Sequence, residues 1–303
     1  MAVLRKSGIK DSASDRMLMI CIYVCLAIIL FLVLYPLLWV VSASVSDPFM
    51  IRQGKLWLIP VGFQLRGYQL AFSDSEILLG YRNSLFYMIV GTAINIFLTT
   101  IAAFPLSCKD FKARNVLALF FSFTMWFNGG IIPNYMLMKS LGFTNTVWSV
   151  LISSAVSVWN LIIMRNYFTT SIPDELREAA KIDGCTNVGY LFRIVIRLVG
   201  PIMAVLVVFY GVARWNDFFN ALIYITKRTL YPLQLFLREI LIINQMTSAQ
   251  QNVATDSTMT EMLLAAESVK YAVIIIASLP VMIIYPFVQR YMLSGITVGA
   301  IKG

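Results

Sequence analysis

The sequence contains no histidine, and only 13% of its 303 residues are charged. The absence of histidine excludes Ser–His and Cys–His catalytic pairs and any histidine-based metal site. No Gly-x-x-x-x-Gly-Lys-Ser/Thr string occurs, so the chain lacks the phosphate-binding loop that many ATPases use. Cys21 and Cys25 share a helix face, but two thiols without a histidine or a further cysteine are not a zinc set. We interpret all four cysteines as packing residues: Cys21, Cys25, Cys108 and Cys185.

The shortage of charge is concentrated in long apolar stretches, whereas a soluble domain carries about 25% charged residues throughout. Six stretches contain no charge at all: Met17–Ser46, Asn83–Cys108, Asn115–Met138, Ser140–Met164, Leu198–Ala213 and Tyr271–Gln289. A bilayer core about 30 Å thick needs about 20 apolar residues, and four of the stretches exceed that length. We therefore predict an all-α membrane protein with six transmembrane helices, at residues 17–43, 83–107, 115–138, 146–166, 191–216 and 270–289.

The basic residues predict how these spans are oriented. The net charge of +9 comes largely from residues beside the spans: Arg5, Lys6, Lys10, Arg16, Lys109, Lys112, Arg114, Arg290 and Lys302. Loops rich in lysine and arginine stay cytoplasmic. The pattern predicts a cytoplasmic segment 1–16, a six-helix domain at 17–290 and a cytoplasmic tail 291–303, and it does not indicate nucleic-acid binding. The first apolar stretch is too long for a signal peptide and is interpreted as a retained anchor.

Two features near membrane depth allow two interpretations each. The break around Asn128-Gly129-Gly130 is either the wall of a water-filled substrate path or a notch that lets a neighbouring helix approach. Arg214, with Asp217 as its expected partner, is either an interfacial anchor or part of a polar path. The outer loop that carries Trp57 is predicted to lie flat on the outer surface.

A short cytoplasmic helix is predicted inside the loop at 170–190. Ser171 is expected to cap it, with Asp174 completing a capping box, and Gly184 supplies the end. Pro173 fits the first turn, where Asp174 and Glu175 complement the positive end of the helix dipole. Its small apolar face is predicted to dock on a partner and consists of Leu176, Ala179 and Ala180.

The run Glu178-Ala179-Ala180-x-x-Asp183-Gly184 resembles the EAA loop of ABC importer permeases. Other motifs, spread over nearly the whole chain, are similar to the carbohydrate-uptake (MalG-like) branch of that family and, within it, to the LplC/YtcP type. They are Gly129-Gly130-x-Ile132-Pro133, Asn160-Leu-Ile-Ile-Met164-Arg165-Asn166, Trp215-Asn216-x-Phe218, Leu230-Tyr231-Pro232-Leu233-Gln234-Leu235 and Gln289-Arg290-Tyr291-Met292.

The resemblance implies the six-helix fold of type I ABC importer (MetI-like) permeases and a transport subunit rather than an enzyme. It implies that the helix in the coupling loop 170–190 sits in a groove of a cytoplasmic ATPase dimer, with ATPase contacts from Glu178, Ala179, Ala180, Asp183 and Gly184. The tail Gly299–Gly303 is a further expected contact. No cofactor is expected in this chain, because ATP and magnesium bind to the partner ATPase.

The other implied partners are a second, homologous permease that forms a heterodimer, an extracellular solute-binding protein, an oligosaccharide, and the lipid of a bacterial cell membrane. The outer loop 217–268 is expected to face the binding protein. Sugar sites combine aromatic faces with amide groups, and the candidates here are Asn128, Asn134, Tyr135, Asn216 and Tyr224. Packing or interfacial anchoring is the alternative for each of them.

Three other functions are alternatives to this one. An ion-coupled carrier is disfavoured, because the uncharged stretches hold no ionisable residue for a relay. An intramembrane enzyme is disfavoured by the lack of histidine. An ABC permease for amino acids, peptides or phosphate is opposed only by the carbohydrate-type motifs.

Overall fold

The computed structural model describes residues 12–249 and 257–300, and this part of the chain contains helices and connecting loops but no strand. The helices are, in chain order, α1 (Ala13–Ser44), α2 (Pro48–Arg52), α3 (Arg66–Ser73), α4 (Ser75–Ser107), α5 (Arg114–Trp126), α6 (Ile131–Ser140), α7 (Val147–Ser153), α8 (Val158–Ser171), α9 (Asp174–Ile182), α10 (Asn187–Tyr190), α11 (Ile196–Leu198), α12 (Gly200–Trp215), α13 (Phe219–Tyr224), α14 (Leu233–Ala249) and α15 (Ser257–Ala300). A π-helical segment, Leu191–Val195, joins α10 to α11, and a 3₁₀ turn, Arg228–Leu230, precedes α14.

Within residues 12–249 and 257–300, three helices are long and apolar enough to cross a membrane without a break. They are α1, α4 and the Leu264–Pro286 part of α15. None of the apolar part of α1 is buried by other residues that the structure describes, and its leucine, isoleucine and phenylalanine side chains are largely exposed. Such a surface is stable only in lipid or against another protein, so this part of the predicted membrane architecture is confirmed.

Three further helix pairs reach the length of a span only when both halves are counted. The α5–α6 pair bends by 115°, the α7–α8 pair by 52°, and the pair Asn187–Leu198 and Gly200–Trp215 by 86°. These pairs lie at the predicted spans three, four and five. The bends differ from the expectation of continuous helices, and the sharpest one falls at the predicted break, where Gly130 has a φ of +87°.

The chain divides into two compact units. One unit comprises residues 12–70 and 257–275, and its small core forms where the end of α1 meets the following loop and α15. There the Trp39 and Tyr271 rings meet edge to face at 5.4 Å, and Leu56 and Ile51 are buried beside them. Gly67 of α3 allows the backbone to lie directly against Ser268, since a Cβ at Gly67 would overlap the Ser268 carbonyl oxygen.

The second unit comprises residues 71–249 and 276–300, and α4 is its central helix. Helices α8, α12 and α14 pack against α4. Small or polar residues of α4 are buried along its length, including Ser84, Gly91, Asn95 and Thr99. Small residues permit close helix approach in membranes, where burying apolar area offers little driving force.

Arg214 ties α12 to α4 and to the bend of the α7–α8 pair. It is 4% exposed, and its guanidinium donates to Asn95 Oδ1 from Nε at 3.1 Å and from Nη2 at 2.9 Å. It also donates to the carbonyls of Val150, Leu151 and Ser154, which belong to the end of α7 and the bend. Backbone carbonyls at a helix end need such donors, because lipid offers none.

Neither interpretation of Arg214 from the sequence is correct, because the side chain is neither at an interface nor open to a path. The expected pairing with Asp217 is also wrong. Asp217 instead accepts hydrogen bonds from the backbone and side chain of Asn220. Arg214 is a buried cap for a broken span, and the charge is stabilised by carbonyl dipoles and one amide.

A second polar contact lies one turn along both helices from the Arg214 cap. The hydroxyl groups of Tyr210 on α12 and Thr99 on α4 are 2.6 Å apart. The Tyr210 hydroxyl also accepts a hydrogen bond from the backbone of Ser157, immediately before α8. Arg214 thus holds the α7 end of the α7–α8 bend, and Tyr210 holds its α8 end. The two residues are four apart and lie on one face of α12.

Candidate functional site

The short helix predicted in the loop at 170–190 is present as α9, with different ends from those expected. Ser171 is the last residue of α8 and does not cap α9, so the predicted capping box is wrong. Pro173 occupies the cap position in an extended conformation, with Asp174 and Glu175 in the first turn. The acidic first turn complements the positive end of the helix dipole, as predicted. Because α8 continues to Ser171, only Ile172 and Pro173 separate the span from the short helix.

One face of α9 is held against the loop between α4 and α5 by ion pairs. Lys109 Nζ lies 2.5 Å from Asp174 Oδ2, and Asp110 pairs with both Lys181 and Arg177. Asp174, Arg177 and Lys181 recur at helical spacing and so share one side of α9. We call these contacts, made by Lys109 and Asp110 on one side and by three α9 residues on the other, the loop clip.

The loop clip shifts the acid–base properties of both of its loop residues. The hydrogen bond and charge of Lys181, together with Arg177, hold the pKa of Asp110 below its usual range. The hydrogen bond and charge of Asp174 raise the pKa of Lys109. Each of these two ionised forms is favoured by its opposite charge, so Lys109 and Asp110 are both charged at neutral pH.

The loop clip determines which residues of α9 face outward. Ala180 is 6% exposed and packs into the core formed by α4, α8 and the Tyr190 region, so it does not share the predicted outward apolar face with Ala179. The opposite side presents Glu175, Glu178, Ala179 and Ile182 to the surroundings. Ile182 is 86% exposed, an unusual position for an isoleucine next to acidic residues.

The end of α9 confirms the conformation expected of Gly184. Asp183 is the C-terminal cap, and Gly184 has a φ of +73°, in the left-handed region. The chain then reverses through hydrogen bonds from Gly184 N to Lys181 O and from Cys185 N to Ala180 O. Glycine is the residue that adopts this geometry without a steric cost.

The residues proposed for a sugar path fall into two pairs and one separate residue. Tyr135 and Tyr224 stack with ring planes 3° apart and centroids at 6.2 Å, Tyr135 being the more exposed ring. At the α5–α6 bend, Asn128 Oδ1 accepts from Gly130 N at 3.0 Å and from Asn134 Nδ2 at 3.4 Å. The Asn216 side chain, at the C-terminal cap of α12, donates to Val212 O, and no hydrogen bond within the described residues joins it to the other four.

Sequence reasoning missed Ile182 and the whole loop clip. A signal for the clip was present, since Asp174, Arg177 and Lys181 share a helix side and Lys109-Asp110 is a charged pair in the facing loop. Nothing local marks Ile182 as exposed, because its exposure depends on how the clip rotates α9. The predicted tail contact at Gly299–Gly303 lies mostly outside the described residues, as do Arg5, Lys6 and Lys10.

Comparisons with known proteins give relatives over nearly the full length. No protein-family model matches the chain. Protein LplC of Bacillus subtilis is 35% identical, and the match covers 97% of each chain. The polygalacturonan/rhamnogalacturonan transport system permease protein YtcP of the same organism is 34% identical over 95% of this chain and 99% of its own. A solved chain from a bacterial ABC transporter involved in the import of the acidic polysaccharide alginate superposes with a TM-score of 0.83 at 30% identity, covering 94% of this chain.

These matches, with the apolar helices and the short clipped helix after α8, define a transport subunit of the membrane rather than an enzyme. The chain belongs to the family of ABC importer permeases, and the predicted family and permease fold are confirmed.

Proposed function

We propose that α9 is the coupling helix through which an ATPase partner drives this permease. The observation that carries the proposal is the outward face of α9, where the exposed Ile182 ends the helix on the side that also carries Glu175 and Glu178. An exposed apolar side chain beside charges is typical of the centre of a docking surface. Because the loop clip fixes the other face, a force on Ile182 reaches α4 and α8 rather than bending a free loop.

The proposed topology places α9 in the cytoplasm. Lys109, which pairs with Asp174, belongs to the same loop as Lys112 and Arg114, and basic loops are retained on the cytoplasmic side. Counting each bent pair as one crossing gives six spans, with both termini cytoplasmic. The proposed contacts of α9 with the ATPase dimer are Glu178, Ala179, Asp183 and Gly184, with Ala180 supporting them from inside.

We further propose that the cargo is an oligosaccharide, delivered by an extracellular solute-binding protein and passed through a path shared with a second, homologous permease. The names of two relatives specify a polysaccharide cargo, polygalacturonan/rhamnogalacturonan in one and alginate in the other, which supports this class. The Tyr135–Tyr224 stack and the Asn128–Asn134 pair supply the aromatic face and amide groups that sugars bind. Asn216 has no such neighbour and is the weaker candidate.

The test of coupling is the replacement Ile182→Asp, with Ile182→Leu as the matched control. The complex is purified from its native membrane with its ATPase and second permease, and ATPase stimulation by the binding protein is measured together with uptake in proteoliposomes. A further carboxylate in place of the apolar side chain on this acidic face is expected to abolish the docked interface, so that the ATPase no longer co-purifies and uptake falls at least about tenfold.

Ile182→Leu preserves the apolar contact and is expected to retain co-purification and uptake. Full uptake by Ile182→Asp would show that α9 does not carry the coupling force. A chain that purifies alone and transports without ATP would overturn the proposed function as a whole.

A further inference from the structure

Large apolar side chains project from the loop between α2 and α3. Trp57 and Ile59 are each 78% exposed, whereas Leu56 is 5% exposed. Residues 56–59, which we call the loop edge, therefore bury Leu56 and present Trp57 and Ile59 outward.

The loop edge is fixed along the last turns of α1. Trp39 Nε1 donates to the Leu56 carbonyl at 3.4 Å, and Ser42 Oγ donates to the Leu58 carbonyl. Measured along the axis of α1, Trp57 is thus level with the segment between Trp39 and Ser42. The outward residues are held at this height by the backbone, so their exposure does not come from a free loop.

The position of the loop edge relative to a bilayer follows from the length of α1. Arg16 is the last charge before the apolar part of α1, which begins at Met17. At 1.5 Å per residue, Trp39 lies about 33 Å and Ser42 about 38 Å beyond Met17 along the helix. The hydrocarbon core is about 30 Å thick, and the headgroup layers bring the bilayer to about 40–45 Å. The loop edge is therefore level with the headgroup layer, even if α1 is tilted by about 20°.

We propose that the loop edge is a lipid-binding surface that inserts Trp57 and Ile59 into the bilayer interface at the Ser44 end of α1. Tryptophan is enriched at this depth, because its ring is apolar and its N–H still reaches water or headgroups. The exposed Arg52 and Lys55 lie just before the loop edge and supply charges for lipid phosphates. The proposal rests on the membrane crossing of α1.

The test is site-directed spin labelling of the complete transporter in phospholipid nanodiscs. Nitroxides are placed at Trp57→Cys and at Ile59→Cys in a chain whose native cysteines are replaced, and collisions with oxygen and with a water-soluble nickel chelate are compared. Gln53→Cys, on an exposed polar residue of the same loop, is the matched control. The ratio of oxygen to nickel collisions is expected to be several-fold higher at 57 and 59 than at 53.

A ratio at 57 and 59 equal to that at 53 would overturn the proposal, because the loop edge would then face water. Immobile labels shielded from both reagents would also overturn it and would indicate a protein partner on this surface. A label at Leu30→Cys on the exposed part of α1 separates this failure from a failure of the proposed membrane crossing, since that label must report lipid if α1 spans the bilayer.

Discussion

At the scale of single residues, two glycines carry consequences for function and for stability. Gly184 ends the proposed coupling helix with a φ of +73°, and no heavy atom lies near the place where a Cβ would stand. Gly91 has the opposite constraint, because a Cβ there would lie 2.9 Å from Nε of Arg214. Glycine is required at position 184 by the left-handed backbone. At position 91 it is required by the Arg214 side chain, which cannot move.

Gly184→Ala is expected to weaken coupling without disturbing any side-chain contact. An L-residue other than asparagine or aspartate in the left-handed region costs about 1–2 kcal/mol, so the end of α9 should shift away from its docked position. Uptake per ATP hydrolysed, measured in proteoliposomes, should fall several-fold. Gly184→Asn should retain more coupling, and Gly200→Ala, at a helical glycine with open space for a Cβ, should have little effect. Equal behaviour of the alanine and asparagine variants at 184 would contradict the argument.

Gly91→Ala is expected to destabilise the fold through the Arg214 cap. The guanidinium is held by Asn95 and by the carbonyls at the α7–α8 bend, so it cannot retreat from a new methyl group. Overpacking at such a site costs about 1–3 kcal/mol. Gly211→Ala is the matched control in a buried helical site, because its Cβ would meet only Thr92 Oγ1, at 3.8 Å. Thermal unfolding of the purified protein should show a lower Tm for Gly91→Ala alone; an unchanged Tm would mean that the cap has room to move.

At the scale of helices, the sequence predicts the positions of the spans better than their shapes. The uncharged stretches locate the spans because a bilayer requires apolar length, and that requirement is local. The bend between α7 and α8 depends instead on Arg214, which lies more than 50 residues away along the chain. The rotation of α9 was likewise not predictable, since Asp110 in another loop determines that Ala180 faces inward and Ile182 outward.

Asp110→Asn is expected to loosen α9, because it removes the carboxylate shared by Lys181 and Arg177. Exposed ion pairs contribute little individually, so amide hydrogen exchange in α9 should rise by only about twofold. Lys112→Gln is the control in the same loop, since no ion pair within the described residues involves Lys112. If exchange in α9 does not change, the clip does not hold the helix.

The same clip predicts a pH window for the wild-type chain. The folded pKa of Asp110 is lowered, so its contribution to stability is present above the ordinary aspartate pKa of about 4 and is lost as pH falls through the folded value. The folded pKa of Lys109 is raised, so its contribution is present below about 10.4 and is lost only above that. Exchange in α9, corrected for its intrinsic rate, should therefore be constant between about pH 5 and 9.

At the scale of the whole molecule, the number of membrane crossings depends on whether the α5–α6 pair crosses the bilayer. These helices meet at 115°, and their side chains are almost all exposed, with Met138 the buried exception. Two geometries fit such a pair. Either both halves together cross the bilayer and α6 ends on the outer side, or α6 turns back and ends on the side from which α5 entered.

Labelling of Lys139→Cys at the end of α6 decides between these geometries. The proposed six crossings place residue 139 outside, opposite the basic loop at Lys109 and Lys112. In a chain without native cysteines, a membrane-impermeant maleimide should label Lys139→Cys in right-side-out vesicles and Ile182→Cys only in inside-out vesicles. Thr226→Cys, on an exposed residue of the predicted outer loop, should follow residue 139. If residue 139 follows residue 182 instead, α5 and α6 form a re-entrant loop, and the α7–α8 pair must then begin from the cytoplasmic side.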